Sequence, residues 1–212
     1  MNHSFLRKLC LLSLVLSATA LLAQQDFSAD LVTMKGKDTK LEAKIFATKD
    51  KMRIEPQERQ AGQGGVVILD LASQTTEVLM PAQKMYMEFA WNQGPGMRRW
   101  GTFFRPADIE DACTEWQKLD IDKGGSCKKI GSETVNGRKT VKYQGTSAEG
   151  KTGYIWLDSS IVFPIKWQGS DDDSGELRNI SEGSQAASLF TVPSDYRKFQ
   201  MPAGMQGMRQ HQ

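Results

Sequence analysis

Chemistry that runs through an imidazole has nowhere to sit in the folded part of this chain. Its only histidines are His3, close to the start, and His211, in the last residues. Ser-His-Asp and Cys-His nucleophile arrangements, and His-based zinc or copper sites, therefore lack their base or ligand. Paired carboxylates remain as acid-base machinery in principle, but most acids alternate along strand-like segments or sit in turns, where they form a solvated face. The run Asp171-Asp172-Asp173-Ser174-Gly175-Glu176 concentrates oxygen ligands suited to a hard cation. It lacks the alternating spacing and distal glutamate of an EF-hand loop and reads as an exposed hairpin turn. Gly62-Gln63-Gly64-Gly65 lacks the lysine and hydroxyl residue of a phosphate loop. Met205, Met208 and His211 are soft copper ligands in type, but too few and without fixed geometry. No catalytic residue, metal or cofactor is expected.

The remaining chemistry is apolar contact. Residues 65–89, GVVILDLASQTTEVLMPAQKMYMEF, hold three short apolar runs separated by Ala72-Ser73-Gln74 and Pro81-Ala82-Gln83, the pattern of an antiparallel meander. In the third run Met85, Met87 and Phe89 alternate with Lys84, Tyr86 and Glu88, so one face is apolar and the other mixed. Methionine suits surfaces that accept varied apolar partners, although Met52, Met80, Met85 and Met87 also serve as ordinary core filling. A sheet with one greasy face must cover it, either with its own helix or with a ligand.

The elements that would position this face are mostly strands. Residues 26–35 and 41–48 read as a pair around Gly36-Lys37-Asp38, with Leu41, Ala43 and Ile45 on one face of the second. In KMRIE (51–55) Met52 and Ile54 share a face opposite Arg53 and Glu55. Residues 91–101, WNQGPGMRRWG, follow neither period and read as an irregular loop bearing Trp91 and Trp100, a lid over an apolar cleft or a plug at the sheet's edge. Pro106 can open a helix over 106–118 whose stripe is Ile109, Cys113 and Trp116, with Asp108, Glu110 and Asp111 at the positive end of its dipole. Asn136-Gly137 marks a type I′ hairpin between 128–134 and 139–145. Strands at 154–157, 162–168 and 176–181 follow, then one helical turn at 186–190.

Arg7 and Lys8 precede an apolar run, 9–22, of signal-peptide length, with cleavage expected after Ala23; an uncleaved anchor is the alternative. No later segment is long and apolar enough to span a bilayer. Removing the leader takes two of the 27 basic residues and none of the 25 acidic ones, so the mature chain is formally neutral. That gives no support to a nucleic-acid or anionic-membrane surface, both of which require clustered excess Lys and Arg. The expected organisation is a signal peptide (1–23), one domain (24–200) and a disordered tail (201–212). Cys113 and Cys127 remain after cleavage. In an oxidising compartment such a pair most simply forms a disulfide, and a two-thiolate metal site is the weaker alternative.

Taken in succession, KMRIE, VVILDLASQTTEVLMPAQKMYMEF, GYIWLDSSIVFPIKW and the closing ASLFTVPSDYRKF resemble exported bacterial domains similar to the LolA/LolB lipoprotein-carrier superfamily. The likeness spans about 26–199. It implies a mainly β (α+β) fold: a curved antiparallel sheet forming an incomplete β-barrel, with one or two short helices covering the concave face. It also implies a cavity for acyl chains, where each methylene buried stabilises by about 0.8 kcal/mol. The carriers hold their lid with an arginine on an early strand. Arg53 is the candidate for that contact, although it stands a few positions late and opposite Met52 and Ile54. The carriers' long N-terminal helix has no counterpart here, because strand-like alternation begins soon after Gln25.

The functional expectation is a non-enzymatic protein of a Gram-negative periplasm that binds a lipid, lipoprotein acyl chain or other hydrophobic ligand. Its candidate contacts are Leu41, Ile45, Met52, Ile54, Met85, Met87, Phe89, Trp91 and Trp100. The competing expectation is a cell-envelope interaction or stress-sensing module whose partner is a protein and whose core is filled by its own side chains.

Overall fold

The computed structural model describes residues 25–36, 38–57, 65–90, 106, 108–118, 124–170 and 173–199. The expected leader ending at Ala23, the expected loop with Trp91 and Trp100, and the expected tail at 201–212 lie outside the described residues. Strands account for nearly every element: β1 (Phe27–Lys35), β2 (Asp38–Ala47), β3 (Lys51–Pro56), β4 (Val66–Asp70), β5 (Thr75–Met80), β6 (Met85–Ala90), β7 (Ser126–Val135), β8 (Arg138–Thr146), β9 (Thr152–Asp158), β10 (Phe163–Gln168), β11 (Asp173–Glu182) and β12 (Arg197–Lys198). Among the described residues one α-helix, α1 (Ala112–Lys118), and a 3-10 helix, Ala187–Phe190, complete the set.

All twelve strands join one sheet in the order β12-β6-β5-β4-β3-β2-β1-β11-β10-β9-β8-β7. Every pairing is antiparallel except β12 with β6. The two ends do not pair, so the sheet is an open, incomplete barrel. Its turns follow local chemistry. The Asp70 carboxylate accepts the amides of Ala72 and Ser73, both at 3.0 Å, and Gln74 closes that turn at φ 55°. Asn136 (φ 49°) and Gly137 (φ 78°) both occupy the left-handed region a type I′ turn requires.

The main core lies on one face and runs across the sheet, from Met52, Ile54 and Leu69 through Phe27, Ile45 and Leu177 to Ile165, Phe163 and Trp156. The sheet curls toward this face. Phe27 of β1 meets Phe163 of β10 edge-on, centroids 5.1 Å apart, with β11 between their strands. The Arg138 guanidinium of β8 reaches Asp158 at the end of β9 and Glu182 at the end of β11. On a flat sheet β8 and β11 would be separated by about 14 Å. Gly175 of β11 is obligatory here for a different reason: a Cβ would stand 2.1 Å from the Trp167 indole.

Two smaller clusters occupy the opposite face. Ala112, Ile109 and Cys113 pack on Val141, Tyr143 and Leu157, the last of which alternates along β9 with Trp156 of the main core. Val192 and Tyr196 of the C-terminal segment pack on Val66, Ile68 and Leu79. The helix is shorter than its sequence stripe predicts. The Asp108 carboxylate accepts the Glu110 amide at 2.8 Å, a local side-chain bond that competes with helical geometry, and regular helix starts only at Ala112. The acidic run is also shorter as a turn than expected, since Asp173, Ser174 and Gly175 already pair in β11.

Cys113 and Cys127 form a disulfide with Cα atoms 5.4 Å apart, tying α1 to β7 across 14 residues of sequence. A loop of that size is worth about 3 kcal/mol in the chain-entropy treatment. Exchanging both cysteines for serine is expected to lower the urea unfolding free energy by ~2–4 kcal/mol. A loss below about 0.5 kcal/mol would show that the helix is held by packing alone.

Candidate functional site

Strand register assembles the candidate surface. Met80 stands opposite Met85, Val78 opposite Met87 and Thr76 opposite Phe89. Val78 in turn pairs with Val67 and Thr76 with Leu69. Because directly paired residues share a face, Met80, Met85, Met87 and Phe89 lie on the side of the main core and extend it past Leu69, Met52 and Ile54. Met85, Met87 and Phe89 are half-buried, whereas Met52 and Ile54 are buried and Ile45 is 0% exposed.

Leu41 does not join them. Ala43 pairs with Leu31 but Leu41 pairs with Val32, so one extra residue, Glu42, is accommodated in β2 and the alternation inverts there. The Glu42 carboxylate accepts the Thr33 hydroxyl at 2.9 Å, and Leu41 is left 37% exposed. Periodicity alone placed it with Ile45, because an inserted residue has no signature in an alternating pattern.

The helix does not cover the methionines. It packs on the other face, anchored by the Tyr143 hydroxyl, which donates to the Ile109 carbonyl at 2.6 Å and accepts the Ala112 amide at 3.3 Å. Burial raises the Tyr143 pKa, which keeps this hydroxyl protonated as a donor.

Arg53 holds a cover, but on that same opposite face. Its Nη1 donates to the Leu189 carbonyl of the 3-10 helix at 2.8 Å, while Nε pairs with Glu55 at 2.6 Å. The segment that follows is pinned to β6 by Arg197 N to Lys84 O at 2.9 Å and Phe199 N to Tyr86 O at 2.7 Å. Lys84–Asp195 and Lys198–Glu88 ion pairs, both 2.9 Å, flank it.

Between that cover and the sheet lies a pocket that sequence reasoning missed. Glu77, Lys51 and Asp70 line it, with Ile68, Tyr86 and Phe190. The available signal was Glu77 itself, an acid that alternation places with Leu79 on an apolar strand face. Glu77 pairs directly with Glu88. Burial first, then the Glu88 charge, pushes the Glu77 pKa up.

An open, curled antiparallel sheet with its main core on the inner face is an incomplete half-barrel. No protein-family model matches the chain, and no curated protein matches it. Solved structures do. An uncharacterized conserved protein from Thermus thermophilus superposes with TM-score 0.51 at 9% identity, over 84% of this chain and 91% of that one. MucB superposes at TM-score 0.48 and 12% identity, covering 82% of this chain and 61% of its own. A putative outer membrane lipoprotein-sorting protein domain from Vibrio parahaemolyticus matches at TM-score 0.34 and 12% identity, over 79% and 89%. The first of these likenesses carries the shared fold. Among the described residues no helix is long and apolar enough to cross a membrane.

Proposed function

We propose that this is an exported, non-enzymatic protein of a Gram-negative periplasm that binds the hydrocarbon chain of a lipid or lipoprotein on the inner face of its half-barrel. The observation that carries the reading is the register of β4, β5 and β6, which lines Met80, Met85, Met87 and Phe89 into one half-buried strip continuous with the core. Methionine and phenylalanine side chains adapt to a mobile alkyl chain, and each methylene seated contributes about 0.8 kcal/mol. The strip would receive the chain's end, while Met52, Ile54 and Ile45 form its floor. Export with cleavage after Ala23 would put the domain where such ligands travel.

A second reading is favoured by a specific feature. The same face between β1 and β9 is filled by the protein's own Phe27, Ile161, Phe163 and Trp156, each under 5% exposed. A module that presents a surface to an envelope protein needs no internal space there.

Protein purified from its own envelope and examined by native mass spectrometry is expected to carry a bound amphiphile, and a fluorescent fatty acid is expected to bind saturably. Met87→Asp puts a carboxylate in the strip and should weaken that binding by about tenfold or more, roughly 1.4 kcal/mol. Absence of both an extracted amphiphile and fatty-acid binding sinks the proposal. A saturable protein crosslink in that case points to the interaction module.

A further inference from the structure

The pocket under the C-terminal segment has a volume of about 300 Å³ and lies on the face opposite the methionine strip. Its charges do not balance. Lys51 and Asp70 are paired at 3.0 Å, and Asp70 is further engaged by the Ala72 and Ser73 amides. Glu88, beside the pocket, is held by Lys198 at 2.9 Å. Glu77 alone has no hydrogen bond or ion pair among the described residues, and its direct cross-strand neighbour is another acid. Like charges placed opposite each other in a sheet are destabilising. The walls around this carboxylate include Ile68 (1% exposed), Phe190 (5%) and the half-buried Val192 and Tyr86.

We infer that this pocket binds an organic cation, a primary amine or guanidinium on a short apolar stem, whose head pairs with Glu77 and whose stem lies on Ile68, Phe190 and Val192. An anion would meet the unpaired Glu77 carboxylate, while Lys51, the cation lining the pocket, is already paired with Asp70. A hard metal ion needs several oxygen ligands, and Glu77 is the one carboxylate lining the pocket that is not already engaged. A neutral apolar ligand would desolvate Glu77 without compensating it. The volume stands at the lower end for ligand pockets, the scale of one long side chain or a small amine rather than a lipid. The same head group could come from a free amine or from a Lys or Arg side chain of another protein.

Binding should weaken as pH falls, because the cation pairs with the ionised form of a carboxylate whose pKa is raised before binding. The charged groups that share its field are Glu88, Lys51, Asp70 and Lys198, with Arg53 on the same face across Ile68, and Tyr86 lining the pocket.

The test is an amide-shift titration of the purified protein with n-butylamine, cadaverine and N-acetyl-lysine methylamide, using butanol and butyrate as neutral and anionic controls. The amines are expected to shift the Glu77, Tyr86 and Val192 amides saturably. Butanol and butyrate should bind roughly tenfold or more weakly, as expected for loss of a charge-assisted hydrogen bond. Glu77→Gln should lose the preference by a similar factor while remaining folded, since it removes a like-charge contact, and Val192→Trp should block binding by filling the space. Tighter binding of the lysine mimic than of the free amines identifies a protein side chain as the natural source, and the reverse order a free amine. The inference is overturned if no amine binds saturably, if butyrate or butanol matches butylamine, or if Glu77→Gln keeps the wild-type affinity. Fatty-acid binding on the other face should be untouched by Glu77→Gln, so the two proposals fail separately.

Discussion

Asp158→Ala is expected to lower the unfolding free energy by about 3–5 kcal/mol, the range for removing one partner of a buried ion pair. The Asp158 side chain is 2% exposed. It accepts Arg138 Nε at 2.5 Å and Nη2 at 3.1 Å, and the amides of Ser160 and Ile161 at 2.8 and 3.0 Å. Alanine would leave Arg138 with Glu182 alone and strand two turn amides, one of them at Ile161, which is fully buried. Arg138 also binds Glu182, so the carboxylate organises a clasp that draws β8, β9 and β11 together at one end of the curl. Asp158→Asn keeps an oxygen for the amides and should cost less than alanine. Urea denaturation of the two variants measures both losses, and an alanine variant within ~1 kcal/mol of wild type would show that the clasp is dispensable.

Phe27→Ala should cost a similar amount, ~3–5 kcal/mol, because it opens a cavity at a site with 0% exposure. Its partner Phe163 is 1% exposed, and the two rings meet at 64°. This contact joins β1 to β10 past β11, where β10 and β11 pair only between Lys166–Gln168 and Ser174–Glu176. The ring contact thus lies beyond the paired stretch of β10 and β11. A double-mutant cycle with Phe163→Ala should return about 0.5–1.5 kcal/mol of coupling, the worth of an aromatic pair beyond its area. Strict additivity would mean that the two rings fill separate spaces and do not hold the curl.

The strand succession was legible because alternation, Asn-Gly and the Pro and Gly breaks are local signals. Met85, Met87 and Phe89 share a face because a strand has period two, and the observed pairings with Met80, Val78 and Thr76 follow from that and from the turn at 81–84. Leu41 escaped the same logic because Glu42 is an inserted residue. Arg53 was legible as a contact-making arginine on the polar side of β3, but its partner, the Leu189 carbonyl, lies 136 residues away. A backbone acceptor at that separation leaves no mark in side-chain pattern.

The sequence by itself determined that residues 24–210 contain no imidazole, that residues 24–212 carry no formal net charge, and that Met85, Met87 and Phe89 share one face of β6. Those properties depend on which residues are present and on their neighbours along the chain. Only the tertiary structure decided which cover lies on which face. The sequence stripe of α1 would suit either side of the sheet. The Tyr143 hydroxyl and the packing on Val141 and Leu157 hold it on the side away from the methionines. The C-terminal segment reaches the same outer side through Arg53, Lys84 and Lys198, closing the pocket over Glu77. Long-range pairing selects between faces that local periodicity makes equivalent, because the energy that distinguishes them comes from contacts formed only after the sheet has curled.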